Sequence, residues 1–195
     1  MDPGIMVIGA QPWREIKMME NILLIPIGAV DSGILDSTAG ALREIFGCEA
    51  MSGKLQPVPP ETYDARRRQY ASHRILKILE PLKPDRHTIL LGVIDLDLYV
   101  PQLNFVFGEA DPAAGVAIIA LPRLRQEFYG LKPDRVIFLL RAAKEAIHEL
   151  GHLQGLDHCP DPGCVMHFSN SLRDTDVKEA RFCAACRESL MKPGS

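Results

Sequence analysis

With 195 residues, 47% of them hydrophobic and 24% charged, the chain has the length and apolar content for one buried core and too little of either for several domains. Its 22 Lys and Arg against 25 Asp and Glu leave a formal charge of -3, so no positive field exists for a nucleic-acid backbone or an anionic membrane, and neither partner is expected. Glycine and proline, 15 each, follow no period, which excludes a collagen-like chain.

Residues 1–10 contain Asp2 and no basic cluster ahead of the short apolar run Ile5–Ile8, so no secretory signal is read. Residues 1–19 read as an extension or as sequence ahead of the true start, Met18 or Met19. The longest apolar run, Asn21 to Ile27, is interrupted by Pro26 and is far short of a membrane span. It reads instead as a buried strand. A cytoplasmic, monomeric protein is expected.

Downstream, Asp31 to Phe46 sets Ile34, Leu35, Leu42, Ile45 and Phe46 near one helical face, with Gly47 as the stop. A second extended stretch follows at Gly53 to Val58. After Pro59-Pro60, the spacing of Tyr70, Ile75, Leu79 and Leu82 predicts a helix over Glu61 to Leu82, with Arg66, Arg67 and Arg68 on its solvated side. His87 to Asp97, Leu103 to Phe107 and Val116 to Leu121 are strand-length apolar runs separated by turn residues. Four or five strands thus precede position 122. A long helix is expected from Asp134 to about Gln154, with Val136, Ile137, Leu140, Ala143 and Ile147 inward and Gly155 ending it. Beyond Gly155 the chain holds four of its five cysteines and few apolar runs, as in a small lobe that needs a staple other than a hydrophobic core.

The long helix ends in HELGHLQGLDH. His148 and His152, four apart, share one face and can clip a single ion, while His158 reaches it only if the chain turns back at Gly155. Three neutral histidines leave one coordination position for water, as in a catalytic zinc. Glu149, beside the first ligand but off the ligand face, is placed to take that water's proton during attack on a peptide carbonyl and to pass it to the leaving amine. Cys159 and Cys164, followed after eighteen residues by Cys183 and Cys186, suit a closed structural zinc. Disulfides and a redox-active Cys183/Cys186 pair remain alternatives. Cys48 reads as a buried small residue. A competing assignment makes both metals structural and the chain a non-catalytic two-zinc binding module.

These residues resemble a known family. HELGHLQGLDHC, then PDPGCVMHF, then CAAC is similar to the extended motif of the archaemetzincins, a branch of the metzincin zinc peptidases. The resemblance implies a catalytic zinc on His148, His152 and His158, Glu149 as general base, a second zinc on Cys159, Cys164, Cys183 and Cys186, and Met166 as the methionine of a Met-turn, packing beneath the histidines rather than binding metal. It implies an α+β, metzincin-like zincin: a mixed twisted sheet, a backing helix and an active-site helix, with a small cysteine-zinc C-terminal lobe. Residues 1–195 would form a single catalytic domain, 20–155 its upper and 156–195 its lower subdomain. An upper edge strand within Leu103 to Phe107 would pair with the main chain of a peptide or protein substrate. Where some metzincins carry a tyrosine two residues after the methionine, this chain has Phe168. His167 stands between an ordinary histidine and a contributor to the site, and endopeptidase and aminopeptidase action are both open.

Overall fold

A computed structural model describes residues 21–191, so the segment 1–19 lies outside the described residues. The main sheet has the order β2-β1-β5-β8-β7, built from β1 (Asn21–Ile27), β2 (Glu49–Ser52), β5 (Thr88–Ile94), β7 (Gly108–Asp111) and β8 (Val116–Ala120). β2, β1, β5 and β8 run parallel; β7 pairs antiparallel to β8, Gly108 opposite Ile119 and Asp111 opposite Val116, and forms one edge. Parallel strands need cover on both faces, and β5 and β8 are buried along their whole length.

That cover comes from three helices: α1 (Ser32–Phe46), α2 (Ser72–Leu79) and α3 (Arg135–Leu153). Ile22, Leu24, Leu91, Val93, Ala117 and Ile119 share a core with α1 and α3, whereas the alternate residues Ile25, Ile27, Leu90, Ile94, Val116 and Ile118 pack with Ile75, Leu76 and Leu79 of α2. The first core also takes in Val165, Met166, Phe182 and Leu190 from the C-terminal stretch, which holds α4 (Leu172–Val177) and α5 (Ala184–Met191). Helix ends follow local chemistry. Asp31 accepts the Gly33 N–H and Asp134 the Ile137 N–H, while Gly47 closes α1 at φ +66°.

Four sequence expectations are corrected. The helix expected over Glu61 to Leu82 is regular only over Ser72–Leu79. Ahead of it come a 3-10 turn, Pro60–Thr62, and a hairpin of β3 (Tyr63–Asp64) and β4 (Gln69–Ala71), which joins β6 (Leu98–Tyr99) in a second sheet. Asp64 is the reason: its carboxylate accepts the N–H groups of Arg66 and Arg67 and turns the chain, with Arg68 left-handed at φ +58°. The arginines therefore occupy a hairpin turn, and Arg67 lies 4.4 Å over the Tyr99 ring and donates to the Leu103 carbonyl.

Leu103 to Phe107 is a turn and loop joined to β6 by a single bridge from Val106 to Leu98; the edge strand begins at Gly108. Gly-Glu-Ala-Asp has poor strand propensity, and its pairing with β8 overrides that. In α3, Ala143 and Ile147 are buried as expected, but Val136, Ile137 and Leu140 face outward, Val136 being 78% exposed. The buried face instead carries Arg141, Lys144, Glu145, His148 and Glu149. Cys48 is only partly buried, packed against the first core.

Gly92, in the middle of β5, lets α2 approach: a Cβ there would lie 2.7 Å from Leu79 Cδ1 and 3.2 Å from Ile118 Cγ1. Gly92→Val is expected to destabilise the protein by about 1–3 kcal/mol through overpacking, read as a lower urea midpoint with an unchanged m value.

Candidate active site and metal centre

The site is built on the last turns of α3. His148 Nδ1 and His152 Nδ1 each lie 2.8 Å from a backbone carbonyl, that of Val165 and that of Leu156. A carbonyl oxygen can only accept, so each ring carries a proton on Nδ1, and a neutral ring then presents a bare Nε2. Those two Nε2 atoms stand 3.1 Å apart, lone pair toward lone pair when both rings are neutral. Such a contact repels unless a cation lies between, and two nitrogens on a tetrahedral zinc would sit about 3.3 Å apart. The donor set fits zinc.

His158 is brought back by the turn after α3. Gly155 adopts φ +86° with open space around it, so the backbone conformation rather than crowding calls for glycine. Leu156 N–H then donates to the Gly151 carbonyl, and the buried Leu156 side chain pins the reversal. The His158 ring lies 5.3 Å from that of His148 and 4.9 Å from that of His152, and one nitrogen from each of the three falls within 4.8 Å of the others. Phe168 packs against His158 at 4.8 Å. His148 is buried, and burial, with the nearby Lys178 charge next, pushes its pKa down to about 2, keeping it neutral as a metal ligand must be.

Glu149 is 5% exposed. Burial first, then the charge of Glu145 one turn earlier, raises its carboxyl well above the ordinary range, and Lys178 acts in the opposite direction. Lys178 is itself buried, its Nζ 2.8 Å from Glu145 Oε1 in an ion pair whose angles fall short of a hydrogen bond. Thr175 donates to the same Glu145 oxygen, Arg141 forms a two-pronged pair with Asp176, and Lys144 donates to the Thr175 and Asp176 carbonyls. Thus α4 and the residue after it neutralise the charged face of α3. Neither Glu145 nor Lys178 was singled out from sequence, because a buried lysine is indistinguishable there from a surface one. Glu145's place one turn before Glu149 was the available signal.

Met166 is fully buried against Gly151, where a Cβ would collide with its sulfur. His167 Nδ1 donates to the Cys159 carbonyl and so braces the turn. The four sulfurs of Cys159, Cys164, Cys183 and Cys186 lie within 4.8 Å of one another, with Cys159–Cys183 at 3.8 Å and Cys164–Cys186 at 3.7 Å. A disulfide would need about 2.05 Å, whereas the edge of a tetrahedron of thiolates around zinc is about 3.8 Å. The Cys186 N–H at the start of α5 holds the Cys183 thiol down at about 7, while burial pushes Cys164 and Cys186 up. This donor set also fits zinc.

A cleft of about 400 Å³ runs over the histidines, walled by 103–107 and β7 on one side and by Phe168, Ser169 and Asn170 on the other. Comparison with known proteins agrees in class. Residues 57–192 match the model of Peptidase family M54. A solved zinc-dependent peptidase from Methanocorpusculum labreanum superposes with a TM-score of 0.80 at 33% identity, covering 87% of this chain and 99% of that one. The fold is therefore that of a zinc-dependent metallopeptidase.

Within that class the relatives are archaemetzincins. The one from Pyrococcus furiosus is 42% identical over 89% of this chain and 93% of its own, and the one from Methanocaldococcus jannaschii 43% identical over 91% and 96%. The archaemetzincin structure from Methanopyrus kandleri has a TM-score of 0.78 at 36% identity, covering 89% of this chain and 94% of that one. The chain belongs to peptidase family M54, the archaemetzincins.

Removing one member of the buried Glu145–Lys178 pair strands the other's charge. Lys178→Met is expected to lower unfolding free energy by about 3–5 kcal/mol, and Glu145→Leu combined with it to restore most of the loss, as measured by chemical denaturation.

Proposed function

We propose that this protein hydrolyses peptide bonds with zinc held by His148, His152 and His158 and with Glu149 as general base. The observation carrying this reading is the pair of bare Nε2 atoms 3.1 Å apart, each ring oriented by a carbonyl, with a buried carboxylate on the same helix. When bound, zinc supplies Lewis acidity, polarising the scissile carbonyl and acidifying water to a pKa of about 7.

The protein's own groups do the rest. Glu149, its proton affinity raised by burial, accepts a proton from the attacking water and delivers it to the leaving amine. The outer edge of β7 has no strand partner among the described residues and offers free main-chain groups along the cleft, suited to pairing with an extended peptide. Phe168 brings no hydroxyl toward the carbonyl oxygen but walls the cleft beside His158.

Cys159, Cys164, Cys183 and Cys186 would hold a second, structural zinc that ties the C-terminal stretch together. Both donor sets come from one chain, which suits a monomer, and the unpaired thiols suit a reducing cytoplasm. Among the described residues no helix is long and apolar enough to cross a membrane.

Glu149→Gln should retain two zinc ions per chain and lose about 10²–10⁴-fold in kcat on a peptide library; undiminished cleavage by this variant would overturn the assignment. Comparing amino-terminally blocked with free peptides then separates endopeptidase from aminopeptidase action.

Cys183→Ser should show a different signature. It is expected to release one zinc and to lower the thermal midpoint, because metal binding at such a site contributes to folding, with the remaining zinc on the histidines. Metal analysis and a thermal melt check it.

A further inference from the structure

We propose that Gly108, the first residue of the edge strand, is a positioning residue for Glu149: its missing side chain is the slot in which the buried carboxylate lies. A Cβ at position 108 would fall 2.5 Å from Glu149 Oε1 and 2.7 Å from both Cδ and Cγ. Those separations are far inside van der Waals contact for three consecutive atoms of one side chain, so a Cβ at 108 would displace the carboxylate from its present place.

The backbone does not explain the glycine. Gly108 is absent from the positive-φ glycines and sits in regular antiparallel register opposite Ile119, a conformation open to any residue. Two residues on, the same strand face carries Ala110, which has a Cβ and packs against the core beside α3. Space over Glu149 is therefore what separates the two positions.

A displaced carboxylate would have to swing into the cleft that Glu149 lines, away from the place it now occupies. Glu149 is 5% exposed, and one turn away stands the carboxylate of Glu145, ion-paired with the buried Lys178. A shift toward Glu145 would crowd two carboxyl groups against each other in the buried interior. The edge strand and the carboxylate are thus held in contact, and the strand proposed to align substrate also sets where the proposed base points. The catalytic consequence rests on reading Glu149 as the base; the steric relation does not.

Two double-mutant cycles on the zinc-loaded chain test this, one of them independent of activity. In thermal melts, Gly108→Ala is expected to lower the midpoint by about 2–10 °C in the parent, and by less than about 1 °C in a Glu149→Ala background where the obstructing atoms are gone. Equal losses in both backgrounds would place the strain in the strand itself and overturn the proposal. If Gly108→Ala does not fold, folding of the Gly108→Ala/Glu149→Ala protein supports the proposal, and its failure to fold overturns it.

In the kinetic cycle, Gly108→Ala should cut kcat by about 10²-fold with KM changed less than about threefold. The same substitution in a Glu149→Ala background, where the three obstructing atoms are gone, should change the residual kcat less than about threefold further. Retained kcat in Gly108→Ala, or equal losses in both backgrounds, would overturn the positioning role. A parent chain that cleaves no peptide would count against the hydrolytic reading alone, leaving the melt cycle to decide whether Gly108 positions Glu149.

Discussion

Two carbonyl groups orient the centre of this molecule. The Nδ1–H groups of His148 and His152 are directed by the Val165 and Leu156 carbonyls, and their Nε2 lone pairs are aimed at one point as a result. Neither carbonyl belongs to the helix that carries the histidines. Leu156 lies beyond the reversal at Gly155, and Val165 lies in the turn that ends at Met166, so the ligand-capable atoms are aligned only when the chain after α3 is docked. That docking is held by Cys159 N–H on the Met166 carbonyl, Val165 N–H on the Arg181 carbonyl, and the close seat of Met166 on Gly151. Clustering of the four cysteine sulfurs restrains the same stretch from its far side.

A second constraint follows from the helix itself. The helix that carries His148, His152 and Glu149 also buries Arg141, Lys144 and Glu145 on the same face, and desolvated charge is costly unless paired. α4 and Lys178 supply the partners: Asp176 for Arg141, backbone carbonyls for Lys144, and Lys178 with Thr175 for Glu145. The short α4 is held in turn by a capping box between Ser171 and Asp174. The polar interior beside the site is therefore nearly closed on itself, and Glu149 faces the cleft and the edge strand.

Much of this was legible in the chain. The histidine and cysteine spacings, the helix ending at Gly155 and the apolar runs around Asn21–Ile27, Thr88–Ile94 and Val116–Ala120 are carried by local patterns, and the mixed α+β class follows from their order. The arginine hairpin was missed because Tyr70, Ile75 and Leu79 hold helical spacing across a turn that Asp64 makes with its own side chain. β7 was missed because its residues favour no strand until β8 is beside them. The phase of α3 was misjudged because its N-terminal apolar residues face outward while charged ones, paired from α4, face in.

What the sequence alone determined is the set of donors and their spacing along the chain: helical geometry makes residues four apart neighbours, and a glycine permits the reversal that returns a third histidine. Which donors meet, which way each imidazole points, how Lys178 offsets Glu145 and where Gly108 leaves room for Glu149 were decided by tertiary structure. Each of those depends on groups far apart in sequence whose distance and direction no local pattern records.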